Sequence, residues 1–374
     1  MRVLHVVPWI SKDNPFGGPI TVALGQKAEL ERRGHEVRVV AGGRVDGALS
    51  DELSRQGVTV MRSFRVMPGL GFSGVVSPRL LWWIARHAGD YDVVHVHVCR
   101  DLVAMPAAFI AELRGRRVVL QPHGMVDGSQ RRLARWWDRV MTRRVFRRAG
   151  AVLTLTDRER NDITTVTGRS PDRIDILPNG IAPAEFVKEP ERQRAQLLYC
   201  SRLHARKRPQ LFVRAAIQLV RSGVEADFLL VGPDEGEGAA IDGILQSIGG
   251  STIKRAPAVS PSDVPGLLAE AAVLVLPSVD EPFPMIVLEA MSIGRPVIVS
   301  DSCGLAPFVS EHGAGLVVRS DDQASLGEAM SRLAQSALLR SSMGQAGHDA
   351  VRAHLAIRAV VDQLEAIYQR SDAG

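Results

Sequence analysis

The sequence predicts an α/β protein built from two doubly wound parallel sheets, one after the other along the chain. Short apolar runs alternate with helical patterns throughout, which is typical of parallel strands covered by helices on both faces. Twelve runs have strand character, more than one usual sheet holds, so they are divided between two domains. A polar segment without periodicity, residues 183–194, marks the break.

The strand and helix candidates follow one another in a regular order. In the first half the strands are Val3–Val7, Val37–Ala41, Val58–Met61, Val93–Val96, Arg117–Leu120 and Ala151–Leu155. In the second half they are Leu197–Cys200, Asp227–Val231, Thr252–Lys254, Val273–Leu276, Pro296–Ser300 and Gly315–Val318. Helices such as Ile20–Arg33, Asp101–Leu113, Arg206–Ser222 and Asp322–Gln335 separate them. We therefore expect domains at 1–185 and 186–353, followed by a last helix in 354–374 that precedes no strand.

Length and composition suit two ordinary globular domains, with 374 residues of which 45% are hydrophobic. Three widely separated cysteines argue against a disulfide framework and a structural zinc site. The short apolar run at the N-terminus is too short for a secretion signal or a membrane span. We therefore expect a cytoplasmic protein that is either soluble or peripheral on the inner face of a membrane. Residues 1–185 hold 28 basic and 19 acidic residues, so this half should meet an anionic partner.

Two carboxylates flank the junction between the strand Val273–Leu276 and the helix that follows it. Glu281 precedes a proline and should be extended, whereas Pro284 can start the helix that carries Glu289. Both carboxylates then lie at the carboxyl end of a parallel strand, where open α/β sheets bind ligands. The alternative is that Glu281 caps a helix and Glu289 is merely solvated. Apolar neighbours around Glu289 weigh against that alternative, because an unpaired carboxylate is costly there.

The stretch PSVDEPFPMIVLEAMSIGRPVIV resembles the retaining glycosyltransferases of family 4, whose hallmark is two glutamates separated by seven residues. The resemblance extends over nearly the whole chain. It implies the GT-B fold, in which two Rossmann-like domains face a cleft and the last helix crosses back to the first domain. It also implies transfer of a sugar from a nucleoside diphosphate sugar with retention of anomeric configuration, without a metal or other cofactor.

The same resemblance assigns a donor site in the second half. Glu281 would orient the donor sugar and Glu289 would bind the ribose hydroxyls. The loop SRLHARKR matches the family's Gly-Arg-Leu…Lys pattern with Ser201 in place of glycine, so Arg202 and Lys207 would stabilise the leaving diphosphate. A basic solvated loop is the alternative reading. The remaining donor-binding candidates are Gly17, Gly18, Gly232, Phe283, Pro284, Met285 and Ile286.

Histidines end two strands of the first half. His95 and His97 alternate on one strand and share a face; they are candidate metal ligands, but one strand supplies only two. We expect one packed histidine and place His97 near the ligand cleft. His123 follows the next strand in Pro122-His123-Gly124, and the resemblance puts it near the anomeric carbon of the donor sugar.

Residues 131–148 form a basic segment with eight arginines, one aspartate and apolar residues at helical spacing. One interpretation is a helix that docks its apolar stripe into the core. The other is an interfacial helix on anionic lipid, because tryptophan and arginine suit that boundary. The candidate acceptor or membrane contacts are Arg135, Trp136, Trp137, Arg139 and Arg143.

The sequence as a whole predicts a metal-independent retaining glycosyltransferase with a UDP-sugar or GDP-sugar donor. The acceptor would be a glycan, a lipid-linked intermediate or a small molecule, and cell-surface polysaccharide, lipopolysaccharide or glycolipid synthesis is the favoured setting. Two alternatives stay open: a sugar-nucleotide epimerase or phosphorylase of the same fold, and a non-catalytic membrane- or glycan-binding protein. No nucleic-acid motif is present, so nucleic acid is not an expected partner.

Overall fold

A computed structural model describes residues 1–11, 18–45, 47–67, 69, 71–129, 131–250 and 252–370. The chain forms two compact units. The first unit comprises Met1–Ala182 together with Ile357–Gly374, and the second comprises Pro183–Ala356. These divisions lie three residues from the limits predicted from the sequence.

The first unit is a parallel sheet covered by helices. Its strands are β1 (Arg2–Ser11), β2 (Glu36–Arg44), β3 (Val58–Arg62), β4 (Phe64–Arg65), β5 (Val75–Val76), β6 (Val93–His97), β7 (Arg117–Gln121), β8 (Ala151–Thr154) and β9 (Asp175–Ile176). Within the described residues seven of them form one sheet in the order β3-β2-β1-β6-β7-β8-β9, and β4 pairs with β5 in a short antiparallel ribbon. Its helices are α1 (Gly18–Arg32), α2 (Gly47–Arg55), α3 (Pro78–His87), α4 (Ala104–Leu113), α5 (Arg132–Trp137), α6 (Arg143–Arg148) and α7 (Asp157–Thr167).

The second unit repeats this plan. Its strands are β10 (Ala195–Cys200), β11 (Ala226–Val231), β12 (Ile253–Ala256), β13 (Val273–Leu276), β14 (Val297–Ser300) and β15 (Gly315–Val318), in the order β12-β11-β10-β13-β14-β15. Its helices are α8 (Pro209–Arg221), α9 (Gly238–Ile248), α10 (Val264–Glu270), α11 (Met285–Ser292), α12 (Ala306–Glu311), α13 (Gln323–Gln335) and α14 (Ala337–Ala350). In both sheets the strand order reverses beside the first strand of the unit, which is the switch point where doubly wound sheets bind ligands.

The twelve predicted strands are all present, which confirms the α/β class and the two Rossmann-like sheets. The sequence analysis missed β4 and β5, each of two residues, because so short a strand carries no periodic signal. Helix α11 begins at Met285 rather than at Pro284, which is the residue that caps it. Helix α8 begins at Pro209 because Arg208 has a left-handed backbone, with φ of 52°, that ends the preceding turn.

The last helix, α15 (Ile357–Gln369), belongs to the first unit. Its apolar face, including Val360, Leu364 and Tyr368, is buried in the same cluster as Val3 of β1. Gly180 lets the chain approach this helix, since a Cβ at Gly180 would lie 2.8 Å from the Cα atom of Ile357. Over the described ranges, no helix has both the length and the hydropathy needed to cross a bilayer.

Candidate functional site

In the second unit, the loops after β10 and β13 join an amine to a carboxylate. These strands are neighbours in the sheet, so their carboxyl ends lie side by side. Lys207, on the turn Ala205–Lys207, donates a hydrogen bond from Nζ to Oε2 of Glu281, and both side chains are largely buried, with 12% and 17% exposed. The backbone ties the two loops together, because the amide of Val279 donates to the carbonyl of Arg206 at 2.8 Å. The geometry therefore brings two of the sequence-predicted site residues into one ion pair.

Arg202, the other predicted cation, is more open than Lys207. Its Nη1 donates to both carboxylate oxygens of Glu235, at 3.0 and 3.1 Å, and 55% of its side chain is exposed. The hydroxyl of Tyr199 lies 3.2 and 3.3 Å from the carbonyl oxygens of Arg202 and Lys207, so its one hydrogen is shared between them and ties the loop to β10. The sequence analysis missed Glu235 and Tyr199, since neither belongs to the quoted motif.

Glu289 lies on α11, half-buried, and no described residue offers its carboxylate a hydrogen bond or an ion pair. Burial raises the pKa of Glu289 above its ordinary value. Cys200, at the end of β10, is half-buried, and its thiol pKa is raised to about 11, mainly by burial and also by the nearby charge of Glu289. Glu289 therefore lies in the second turn of α11, as the sequence predicted, and its carboxylate is partly desolvated.

The remaining donor-site candidates divide into three groups. Packing requires a glycine at position 232, because a Cβ at Gly232 would lie 1.9 Å from the carbonyl oxygen of Ser201. The segment Phe283–Ile286 links the two glutamates, with Pro284 buried and the other three residues half-buried. Gly18 is the exposed first residue of α1 and has open space around its Cα, whereas Gly17 falls outside the described residues.

In the first unit, four histidine rings form a buried cluster on one face of the sheet. His5 of β1 is in register with His95 of β6, and both are fully buried, as is His97. His5 Nδ1 lies 3.0 Å from His97 Nε2, and His97 Nδ1 lies 2.7 Å from Nε2 of the half-buried His123. His97 is thus as fully buried as His95, and β1 supplies a third histidine that one-strand reasoning overlooked.

Burial lowers the pKa of all four rings because water no longer stabilises the imidazolium. The pKa of His5 and that of His123 fall to about 3, and those of His95 and His97 lie well below their ordinary value. His95 Nδ1 and the hydroxyl of Tyr368 on α15 form a hydrogen bond of 2.6 Å. The nitrogens of His5, His95 and His97 lie within 4.8 Å of one another, so they are also a candidate ligand set for a metal ion.

His123 and Gly124 both have left-handed backbones, with φ of 53° and 73°. The carboxylate of Glu159 accepts the amide hydrogen of Gly124 and, at 2.7 Å, that of Leu155. Thr156 caps the same helix, α7, by accepting from the amide of Glu159 at 3.2 Å. Thr156 and Glu159 have the spacing of a capping box, which predicts their local contact but not the bond from Gly124, 35 positions away.

The basic segment 131–148 is helical from Arg132 onward, with a π-helical stretch, Asp138–Thr142, between α5 and α6. Its apolar residues face two ways. Trp137, Met141, Val145 and Phe146 pack into the core. Leu133, Trp136 and Val140 are 51%, 55% and 50% exposed and follow one another at helical spacing. Arg135 and Arg139 are exposed as well, whereas Arg143 donates to the carbonyl of Val166 at 2.9 Å.

Two family models match the chain. Residues 17–180 match the glycosyl transferase 4-like domain, and residues 194–336 match the glycosyl transferases group 1. Together they cover most of both units. The chain therefore belongs to the glycosyltransferases, within family 4.

Curated relatives and solved structures agree with this membership. The chain is 26% identical to an alpha-D-kanosaminyltransferase of Streptomyces kanamyceticus, over 63% of the chain and 64% of that protein, so it spans less than two thirds of that relative. It is 25% identical to a D-inositol 3-phosphate glycosyltransferase of Kribbella flavida, over 87% of the chain and 78% of that protein. The crystal structure of Anabaena Alr3699/HepE in complex with UDP and glucose superposes with a TM-score of 0.75 at 16% identity, covering 97% of this chain and 98% of that one. The fold is accordingly GT-B.

We predict that acid destabilises the first unit, because the folded state disfavours protonation of its buried histidine cluster. His95 stays neutral when folded, whereas an unfolded histidine takes up a proton below about pH 6.5. The stability that the neutral ring contributes is therefore complete above that pH and is lost as the pH falls, by about 1.4 kcal/mol per pH unit for each such histidine. Urea unfolding followed by tryptophan fluorescence measures this effect, because all five tryptophans lie in the first unit.

His95→Gln provides the matched comparison, since glutamine does not titrate. The difference in unfolding free energy between wild type and this variant should shrink between about pH 6.5 and 4.5. Buried carboxyls such as Glu159, whose pKa burial raises to about 7, act in the opposite sense but are common to both proteins and cancel. A difference that does not change with pH would show that His95 is not held neutral.

Proposed function

We propose that this chain is a retaining glycosyltransferase whose nucleoside diphosphate sugar donor binds in the second unit. The observation that carries the proposal is the Lys207–Glu281 pair at the carboxyl ends of β10 and β13. Arg202 and Glu289 lie at the ends of the same strands and add a second cation and a second carboxylate. The relatives named above are glycosyltransferases, and one structure with this fold holds UDP and glucose, so UDP is the first donor nucleotide to test. GDP is the alternative.

The two cations would stabilise the charge that develops on the leaving diphosphate. Arg202 offers a planar fork of donors and Lys207 a compact charge, two forms that suit phosphate oxygens. Each already has a carboxylate partner, so a diphosphate would share or replace Glu235 and Glu281. Stabilisation of this kind is often the largest part of catalysis, and with two cations present the proposed mechanism requires no metal.

The two glutamates would then have separate roles. Glu289, which has no partner among the described side chains, would accept hydrogen bonds from the ribose hydroxyls. Glu281 would orient the donor sugar beside the departing phosphate and stabilise positive charge that develops on it. The acceptor hydroxyl would attack from the face that the diphosphate leaves, and its proton would pass to the phosphate. That route retains the anomeric configuration without a protein nucleophile.

Replacing Glu281 separates catalysis from nucleotide binding. Glu281→Ala should lower kcat for sugar transfer by about 100-fold or more, because the donor sugar loses its orienting contact. UDP affinity should stay the same or rise, because Lys207 is released from its partner. Initial rates with radiolabelled UDP-sugar and titration calorimetry with UDP measure the two quantities.

Glu311→Ala is the control, since Glu311 is an exposed glutamate at the end of α12 in the same unit. It should transfer sugar at the wild-type rate. Equal transfer by Glu281→Ala and wild type would remove Glu281 from the mechanism. Donor consumption without acceptor, or only with inorganic phosphate, would instead favour the epimerase or phosphorylase.

The first unit is the proposed acceptor side. A cavity of about 650 Å³ is lined there by Met67, Arg100, Asp127, Arg131, Leu133 and Trp136 among other residues. Its size lies within the range of small-molecule pockets, and its apolar and charged lining suits an acceptor that joins a polar group to an apolar one. We propose that the exposed stripe Leu133-Trp136-Val140 and its flanking arginines place this unit on an anionic membrane at the cytoplasmic face. A lipid-linked glycan or a glycolipid precursor is the acceptor class that this arrangement favours.

Charge reversal on α5 and on the π-helical stretch after it, termed the α5 variant, tests the membrane proposal. The triple variant Arg132→Glu, Arg135→Glu and Arg139→Glu should lose sedimentation with vesicles that contain anionic phospholipid, because each basic residue near such a surface contributes about 1 kcal/mol. Binding by wild type should also weaken as salt is added.

A second triple variant, Arg55→Glu, Arg79→Glu and Arg114→Glu, changes the net charge equally at exposed positions elsewhere in the first unit. It should still sediment with the vesicles. Sedimentation of the α5 variant at the wild-type level would end the membrane proposal and leave the segment as an ordinary docked helix.

A further inference from the structure

Three of the clustered histidines are joined end to end. The rings of His97 and His123 are within 11° of parallel, with centres 5.1 Å apart and bonded nitrogens 2.7 Å apart. His5 and His97 repeat this arrangement, with an interplanar angle of 25°, centres 5.3 Å apart and nitrogens 3.0 Å apart. In each pair the nitrogens are closer than the ring centres by about two ring radii, so the rings meet edge to edge in a hydrogen-bonded chain. An ion bound in line between His5 and His97 would need about 4 Å between the nitrogens, which this spacing does not provide.

A chain of neutral imidazoles has a direction, because each ring donates from one nitrogen and accepts at the other. If His123 donates from Nε2 to His97, then His97 donates to His5, and Nε2–H of His5 is left over. In the opposite direction, His5 donates from Nδ1 to Nε2 of His97, and His97 donates from Nδ1 to Nε2 of His123. Nε2 of His5 then carries no hydrogen and has an unused lone pair. His5 Nε2 is buried and has no partner among the described atoms. A buried N–H without an acceptor is rarer than an unsatisfied acceptor, so the second direction is favoured.

We infer that His5 and His97 are positioning residues that hold His123 in the tautomer with its proton on Nδ1. Nε2 of His123 accepts the hydrogen bond from His97. No described residue bonds Nδ1 of His123, so this is the nitrogen available to a ligand. His123 would therefore present an N–H donor to an oxygen of the substrate and would not act as a general base, since Nδ1 has no free lone pair. This assignment rests on the proposed function only for the identity of that oxygen, a sugar hydroxyl or a phosphate oxygen.

His95 supplies a matched control within the same cluster. It is on the same strand as His97, is equally buried, and its ring lies nearly parallel to that of His97 with centres 4.7 Å apart. Its Nδ1, however, bonds the hydroxyl of Tyr368 on α15. A change at His95 therefore disturbs the core of the first unit to a similar degree without breaking the chain from His5 to His123. The positive charge of Lys27 acts on His5 and helps to keep it neutral.

The experiment is nitrogen-15 NMR of the full chain labelled at histidine, with the His123 signals assigned by their loss in His123→Asn. In wild type, His123 should be protonated at Nδ1 and bare at Nε2, without titration between about pH 5.5 and 8. In His97→Leu the proton should redistribute toward Nε2, whereas His95→Gln should leave the His123 tautomer unchanged. His5→Leu makes the same test if His97→Leu does not fold, because it removes the ring that sets the direction. Protonation of His123 at Nε2 in wild type, or a tautomer indifferent to His97→Leu and His5→Leu, would overturn the inference.

Kinetics provide a second readout. His97→Leu should lower kcat for sugar transfer about tenfold with little change in the donor KM, as expected for one weakened hydrogen bond. His123→Asn should retain more activity than His123→Ala, because asparagine keeps an N–H at the position of Nδ1 and tolerates a left-handed backbone. Equal loss in both His123 variants would contradict the donor role. The NMR result needs no turnover, so absence of transfer with every donor would count against the proposed function and leave the tautomer assignment to be decided separately.

Discussion

The candidate site of the second unit depends on one interaction, the largely buried ion pair between Lys207 and Glu281. Each partner stands on a loop, and loops need external constraint to hold charged groups in place. The pair joins the two loops at the adjacent ends of β10 and β13, and backbone bonds from Val279 to Arg206 and from Gly304 to Glu281 reinforce it. Removing one partner of such a pair would leave an uncompensated charge, a cost of about 3–5 kcal/mol for fully buried pairs. The same electrostatics favour binding of a diphosphate, because its negative oxygens can replace the Glu281 carboxylate as the partner of Lys207.

The first unit uses buried polar groups in a different way. Burial lowers the pKa of His5, His97 and His123 and so favours their neutral forms, and their hydrogen bonds cross from β1 to β6 and on to the turn after β7. Such a network has a direction, because each ring donates at one nitrogen and accepts at the other, but it carries no charge. It can therefore orient the His123 side chain without the cost of burying an ion. Glu159 supports the same turn from α7 by accepting the amide hydrogen of Gly124. The turn at His123 is thus held from two sides, which compensates for the strain of its left-handed backbone.

Much of this organisation was predictable from the sequence, and what was missed has a common cause. The strands, the two-sheet division and the Glu281, Glu289, Arg202 and Lys207 set rest on local patterns, which a single sequence displays. Glu235 and His5 contribute through partners that are far apart along the chain, so no local pattern marks them. Tyr199 bonds carbonyls only three and eight positions away, but it lies outside the motif on which the prediction rested. His5 is 92 positions from His97, and only the register of β1 against β6 brings them together. The apolar residues of 131–148 share one helical spacing, yet Trp136 and Val140 are exposed while Trp137 and Met141 pack into the core, a distinction that the spacing alone does not make.

The most direct test of the account is titration calorimetry of the full chain with UDP, GDP, ADP and dTDP, in the presence and absence of EDTA. We expect micromolar binding of one nucleotide, with UDP the favoured one, and we expect EDTA to leave that binding unchanged. Lys207→Ala and Arg202→Ala should each weaken that binding at least tenfold, whereas Lys254→Ala, an exposed lysine on β12, should not. Binding of none of the four nucleotides, or equal binding by Lys207→Ala and wild type, would contradict the claim that this ion pair marks a diphosphate site.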